Sequence, residues 1–120
     1  MTDNFEIAKD LLLTKGEITG LTKGNSMKPL FRDGKDKAII LPITTPIKQN
    51  DVLLYRNADS QDTILHRVVK TKNGKLILRG DNLYYNENDI RQENIVGVLN
   101  AFYRNGKYYE CNFLFERAYH

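Results

Sequence analysis

The chain has 120 residues, with 18 Lys plus Arg against 15 Asp plus Glu and a net charge of +3. This length predicts one compact domain, and 41% hydrophobic with 28% charged residues excludes a disordered chain. So small a positive excess, spread over mixed-sign segments, does not argue for nucleic acid, and no apolar run (Ala38-Ile39-Ile40-Leu41 is typical) is long enough to span a bilayer.

The N-terminus carries Asp3 and Glu6 early and lacks the basic start and long apolar centre of a cleavable signal. Cys111 is the single cysteine, so no internal disulfide and no cysteine metal cluster can form. His66 and His120 are the two histidines, which leaves no His-rich metal site. A cytoplasmic domain without cofactor or transmembrane segment is expected, with residues 1–16 as a helical segment and 17–116 as a β body.

Residues 3–13 read as a short helix. Asp3 is a candidate cap with Glu6 three residues on, and Gly16 is a candidate stop. Phe5, Ala8 and Leu12 share one face with Leu11 beside them. A helix this short needs tertiary contacts, so the stripe is expected to pack on its own domain rather than on a partner.

Beyond Gly16 the pattern turns to strands. Glu17–Thr22 alternates, and Lys37–Leu41 is a buried-strand candidate ended by Pro42. Asp51–Arg56 is another. Thr63–Lys70 and Lys75–Arg79 flank Asn73-Gly74, while Ile95–Tyr103 and Lys107–Phe115 flank Asn105-Gly106. Asn-Gly between β-rich runs marks a hairpin, because both turn residues tolerate positive φ. The fold class is therefore mainly β: a barrel-like arrangement of short strands and hairpins with one N-terminal helix.

Three stretches carry chemistry. In Gly24-Asn25-Ser26-Met27-Lys28-Pro29 a small hydroxyl residue is confined to a turn. Nearby free N–H groups could stabilise an oxyanion. In Ile64-Leu65-His66-Arg67-Val68-Val69 a histidine, the residue best suited to moving protons near neutral pH, sits within an apolar strand. Alternation puts His66 with Ile64 and Val68, and Arg67 with Leu65 and Val69. The third stretch is Arg79-Gly80-Asp81-Asn82, which the Asn73-Gly74 hairpin folds back toward His66. An acid beside an imidazole fixes its tautomer and stabilises the charged ring. Singly, these stretches also read as a plain turn, a core histidine and an Asp-Asn turn.

Their order and spacing carry more. Gly24-Asn25-Ser26-Met27-Lys28-Pro29, then Asn50-Asp51-Val52-Leu53, then His66-Arg67-Val68-Val69, then Gly80-Asp81-Asn82 resembles the signal-peptidase/LexA-like serine peptidases of the S24/S26 superfamily, from about Gly24 to Val98. A Gly-Asp pair normally stands where this chain has Asn50-Asp51, a change expected to alter a turn and not the chemistry.

The resemblance implies a LexA/signal-peptidase-like fold and peptide-bond hydrolysis on a peptide or protein substrate. It implies Ser26 as nucleophile. Bacterial-type signal peptidases and LexA-like repressors pair that serine with a lysine, whereas a His-Arg at this point is similar to the endoplasmic-reticulum and archaeal type. His66 is then the general base. Asp81 is the first choice for the acid, with Glu87 and Asp89 as rivals, since that type carries a second acid beyond its Gly-Asp-Asn. Substrate is expected to add as a strand near Asp51, Val52 and Leu53, with Met27 beside the nucleophile. Neither a membrane anchor nor a DNA-binding domain is expected, which suggests a free-standing catalytic core that trims a leader or precursor peptide. A peptide-binding module that kept the fold and lost activity is the competing expectation.

Other features have plainer readings. Lys28 lies too close to Ser26 along the chain to serve as its base. The run Arg32-Asp33-Gly34-Lys35-Asp36-Lys37 reads as a solvated turn. Tyr84-Tyr85, Tyr103, Tyr108-Tyr109, Phe113 and Phe115 could stack on single-stranded nucleic acid, but their alternation around Asn105-Gly106 fits cross-strand packing better.

Overall fold

Both Asn-Gly pairs make the turns that their chemistry predicts: Asn73 and Gly74 sit at φ 52° and 77°, and Asn105 and Gly106 at 53° and 78°. The computed structural model of the chain describes residues 5–21, 35–57, 63–83 and 86–111. Helix α1 spans Phe5–Lys15 and is followed by strands β1 (Ile18–Leu21), β2 (Lys37–Leu41), β3 (Val52–Arg56), β4 (Thr63–Lys72), β5 (Lys75–Arg79), β6 (Glu87–Ile90), β7 (Ile95–Arg104) and β8 (Lys107–Glu110). A 3-10 turn at Gln92–Asn94 leads into β7.

The helix stops where glycine allows it to. Gly16 takes φ 77° and its N–H closes on the Leu12 carbonyl at 3.0 Å. Phe5, Ala8 and Leu12 are buried with Ile40, Leu54 and Leu99, so the apolar stripe packs on its own domain. The helix covers one face of the sheet.

The eight strands form one antiparallel sheet in the order β1-β2-β7-β3-β4-β5-β6, with β8 paired to β7. The face away from the helix has its own apolar cluster, built on Leu53, Tyr55, Val68, Leu76 and Leu78. Alternation along β3 sorts the strand between the two clusters: Val52 and Leu54 face α1, while Leu53 and Tyr55 face the second cluster. Among the described residues the architecture is mostly β with an N-terminal helix, as the sequence predicts.

One strand has no clear sequence signal, and one local reading changes. The β6 strand lies in a stretch rich in Asn, Asp and Glu, with little β propensity; its pairing of Leu76 with Ile90 and Leu78 with Glu87 overrides that. Asp36, read as part of a solvated turn, is fully buried, and Arg104 forks onto it at 3.1 and 3.0 Å. The aromatic expectation holds on the second hairpin, where Phe102 stacks on Tyr109 and Tyr103 meets Tyr108 edge-on. Phe113, Phe115, Tyr84 and Tyr85 lie outside the described residues. No helix among the described residues is long and apolar enough to cross a membrane.

Candidate active site

Register between β3 and β4 positions the histidine. Leu53 stands opposite His66 and Tyr55 opposite Ile64, so Tyr55 and His66 are diagonal neighbours on one face. Their rings meet edge to face, with centroids 5.9 Å apart. The Tyr55 hydroxyl lies 3.0 Å from His66 Nδ1. It donates to Glu87 Oε2 at 2.5 Å. The other oxygen of Glu87 is 3.6 Å from Nδ1, and the Asn57 amide donates to the same carboxylate at 3.3 and 3.4 Å.

Glu87 reaches this cluster because the sheet curls. β6 is three strands from β3 in the sheet order, about 14 Å across a flat sheet. A direct hydrogen bond between Tyr55 and Glu87 requires β4, β5 and β6 to bend back over the second apolar cluster.

The environment of the ring sets its charge. His66 is 4% exposed. Burial pushes its pKa below the ordinary 6.5, and the negative charges of Glu87 and then Asp81 offset part of that. The ring is therefore neutral near pH 7, the state in which one nitrogen can accept a proton. Nδ1 faces the phenol and the carboxylate; among the described residues nothing hydrogen-bonds Nε2.

Asp81, the first choice as the acid beside His66, is placed elsewhere. Both its oxygens are 2.7 Å from the Arg67 guanidinium, which also donates to the Asn50 carbonyl at 3.0 Å. The cause is register. Pairing runs Lys72 with Lys75, Thr71 with Leu76 and Lys70 with Ile77, then skips Val69 and resumes with Val68 opposite Leu78 and Arg67 opposite Arg79. Without that bulge the hairpin would set Asp81 opposite His66; with it, Asp81 falls on the parity of Arg67. Glu87 is the acid that the fold brings to the imidazole. Of the other rival, Asp89, only the backbone in β6 is described.

The expected substrate edge at Asp51–Leu53 is also corrected. β3 lies between β4 and β7, with Leu53 paired to both His66 and Val98. Val52 and Leu53 are fully buried. The Asp51 backbone exchanges 2.7 and 3.2 Å bonds with Val68 and Lys48, and its carboxylate accepts the Lys48 N–H at 3.0 Å. Leu53 is thus paired on both sides and offers no free edge to a peptide. Asn50 takes φ 78°, the left-handed conformation that glycine would supply, so the turn survives the missing glycine. Ser26 and Met27, the candidate nucleophile and its neighbour, lie outside the described residues, as does Lys28.

Sequence reasoning passed over Tyr55 and Asn57. A signal for the first was present: a tyrosine within the apolar run Val52-Leu53-Leu54-Tyr55 must find a partner for its hydroxyl once buried.

A comparison with curated proteins returns no match. The family model described as Peptidase S24-like matches residues 2–100. That span contains the Ser26 stretch, the Tyr55–His66–Glu87 cluster and the Arg67–Asp81 pair on one continuous match. On this match the chain belongs to the Peptidase S24-like family.

Proposed function

We propose that the chain is a serine-type endopeptidase of the Ser-His kind, with Ser26 as nucleophile, His66 as general base and then acid, and Glu87 as the supporting carboxylate. The carrying observation is the His66 ring. It is buried, burial holds its pKa below the ordinary 6.5, and its Nδ1 faces the Tyr55 hydroxyl at 3.0 Å with the Glu87 carboxylate at 3.6 Å. The similarity to the endoplasmic-reticulum and archaeal type of signal peptidase supports histidine in the place of lysine.

On this reading His66 Nε2 takes the Ser26 hydroxyl proton as the oxygen attacks the scissile carbonyl. The Ser26 N–H supports the oxyanion of the tetrahedral intermediate. Collapse breaks the C–N bond, and the imidazolium returns its proton to the leaving amine. Water then releases the acyl group by the same base. Glu87 offsets the positive charge that the ring carries between the two transfers.

The test is cleavage of a peptide library together with labelling by a fluorophosphonate probe. Ser26→Ala and His66→Ala should each abolish cleavage while far-UV circular dichroism is unchanged, and the probe should label Ser26. Cleavage retained by Ser26→Ala overturns the assignment. A folded wild type that binds peptides but neither cuts them nor takes the probe establishes the non-catalytic module instead.

A further inference from the structure

We propose that Tyr55 is the positioning residue that fixes the tautomer of His66, acting as a phenol bridge between Glu87 and the ring. The catalytic consequence rests on the reading of His66 as the base; the tautomer itself does not.

The number of protons available decides the tautomer. A tyrosine hydroxyl has one proton and lone pairs to accept with. An ionised carboxylate only accepts, so the short 2.5 Å contact places the phenolic proton toward Glu87 Oε2. What Tyr55 then offers His66 Nδ1 at 3.0 Å is a lone pair. The neutral imidazole answers with its single N–H on Nδ1. Nε2 is left as the unprotonated nitrogen, the one able to receive a proton from a nucleophile.

Glu87 makes this bridge necessary. Its nearer approach to Nδ1 is 3.6 Å, beyond hydrogen-bond range, so the direct contact is ionic and only when the ring is charged. The Asn57 amide holds the carboxylate from another side. Tyr55 is fully buried in the central strand β3, and its ring is packed among Leu53, Val68 and Leu78. A phenol so fixed cannot rotate to follow the imidazole; it dictates the orientation instead.

The test is 15N NMR of the full chain with labelled histidine, at a pH where His66 is neutral. Wild-type His66 should show a protonated, pyrrole-like Nδ1 and an unprotonated, pyridine-like Nε2. Tyr55→Phe keeps the ring and removes the hydroxyl, so a substantial Nε2–H population should appear. In the same variant kcat should fall on the order of 10- to 100-fold with KM unchanged, the usual loss for a group that orients a catalytic one. A wild-type ring protonated on Nε2 overturns the proposal without any variant, as does a Tyr55→Phe spectrum identical to wild type. If instead the tautomer behaves as stated and no peptide is cleaved, the bridge stands and the peptidase reading fails.

Discussion

Asp81 grips Arg67 through both carboxylate oxygens, each at 2.7 Å, on the opposite strand parity from His66. The side chains of the pair are 8% and 10% exposed, and Arg67 also ties down the Asn50 carbonyl. One guanidinium thus joins β4, the turn before β3 and the turn after β5.

Breaking that pair should cost stability more than chemistry. Removing one partner of a buried ion pair leaves an uncompensated charge, typically about 3–5 kcal/mol. Asp81→Ala should therefore lower the urea midpoint sharply, while Arg67→Met combined with Asp81→Leu should recover part of the loss. Activity per folded molecule should survive better in Asp81→Asn than in Glu87→Gln. The reverse ranking would restore Asp81 as the acid of the site.

Much of this arrangement was legible in the residues. The helix stripe, its glycine stop and both Asn-Gly hairpins follow from local chemistry that tertiary contacts did not override. Alternation placed His66 and Arg67 on opposite faces of β4 correctly. The bulge at Val69 was not legible, because nothing in Val68-Val69-Lys70 distinguishes a skipped residue from a paired one, and that single residue moved Asp81 from His66 to Arg67. The sequence offers Glu87 as a rival acid, but its preference over Asp81 depends on the curl of three strands, a long-range property. The Ser26 stretch carries the resemblance by residue type, order and spacing, which the sequence displays without any fold.

The acid limb of the activity profile should report the balance around His66. The base must be unprotonated, so kcat/KM rises with pH through the His66 pKa, which burial holds below 6.5. Glu87 raises that pKa against the effect of burial. Glu87→Gln should therefore move the acid limb to lower pH while reducing the plateau by about 10- to 100-fold. A limb displaced to higher pH, or an undiminished plateau, would contradict the role given to Glu87.

The same shift has a consequence for stability. Folded His66 binds its proton less tightly than the unfolded chain, whose imidazole has the ordinary 6.5. Between the folded value and 6.5 the unfolded chain holds more protons, so acidification favours unfolding in that window. The contribution is whole above 6.5 and is lost as pH falls through the folded pKa. Wild-type stability should thus decline on acidification relative to His66→Gln, measured as paired urea midpoints from neutral pH downward. A difference between the two chains that stays flat across the window would mean that His66 is not held neutral by burial.

Two backbone positions make opposite demands on side-chain size. Asn50, at φ 78°, closes the turn whose carbonyl Arg67 holds. A side chain with no special tolerance for left-handed backbone costs about 1–2 kcal/mol there, so Asn50→Ala should destabilise the chain more than Asn50→Gly. At Gly97 in β7 the conformation is ordinary but space is short. A Cβ would lie 2.6 Å from the Leu41 carbonyl oxygen, 2.8 Å from Ile40 and 3.1 Å from Leu12 of α1. Backbone cannot give way as a side chain does, so Gly97→Ala should push β2 or α1 outward at a cost of about 1–3 kcal/mol. Denaturant midpoints rank these variants, and hydrogen exchange should show the Gly97→Ala loss concentrated in α1 and β2. Because α1 and the His66 cluster lie on opposite faces of the sheet, the His66 tautomer should be preserved in Gly97→Ala. A tautomer change in that variant would show that the helix face supports the site through the sheet.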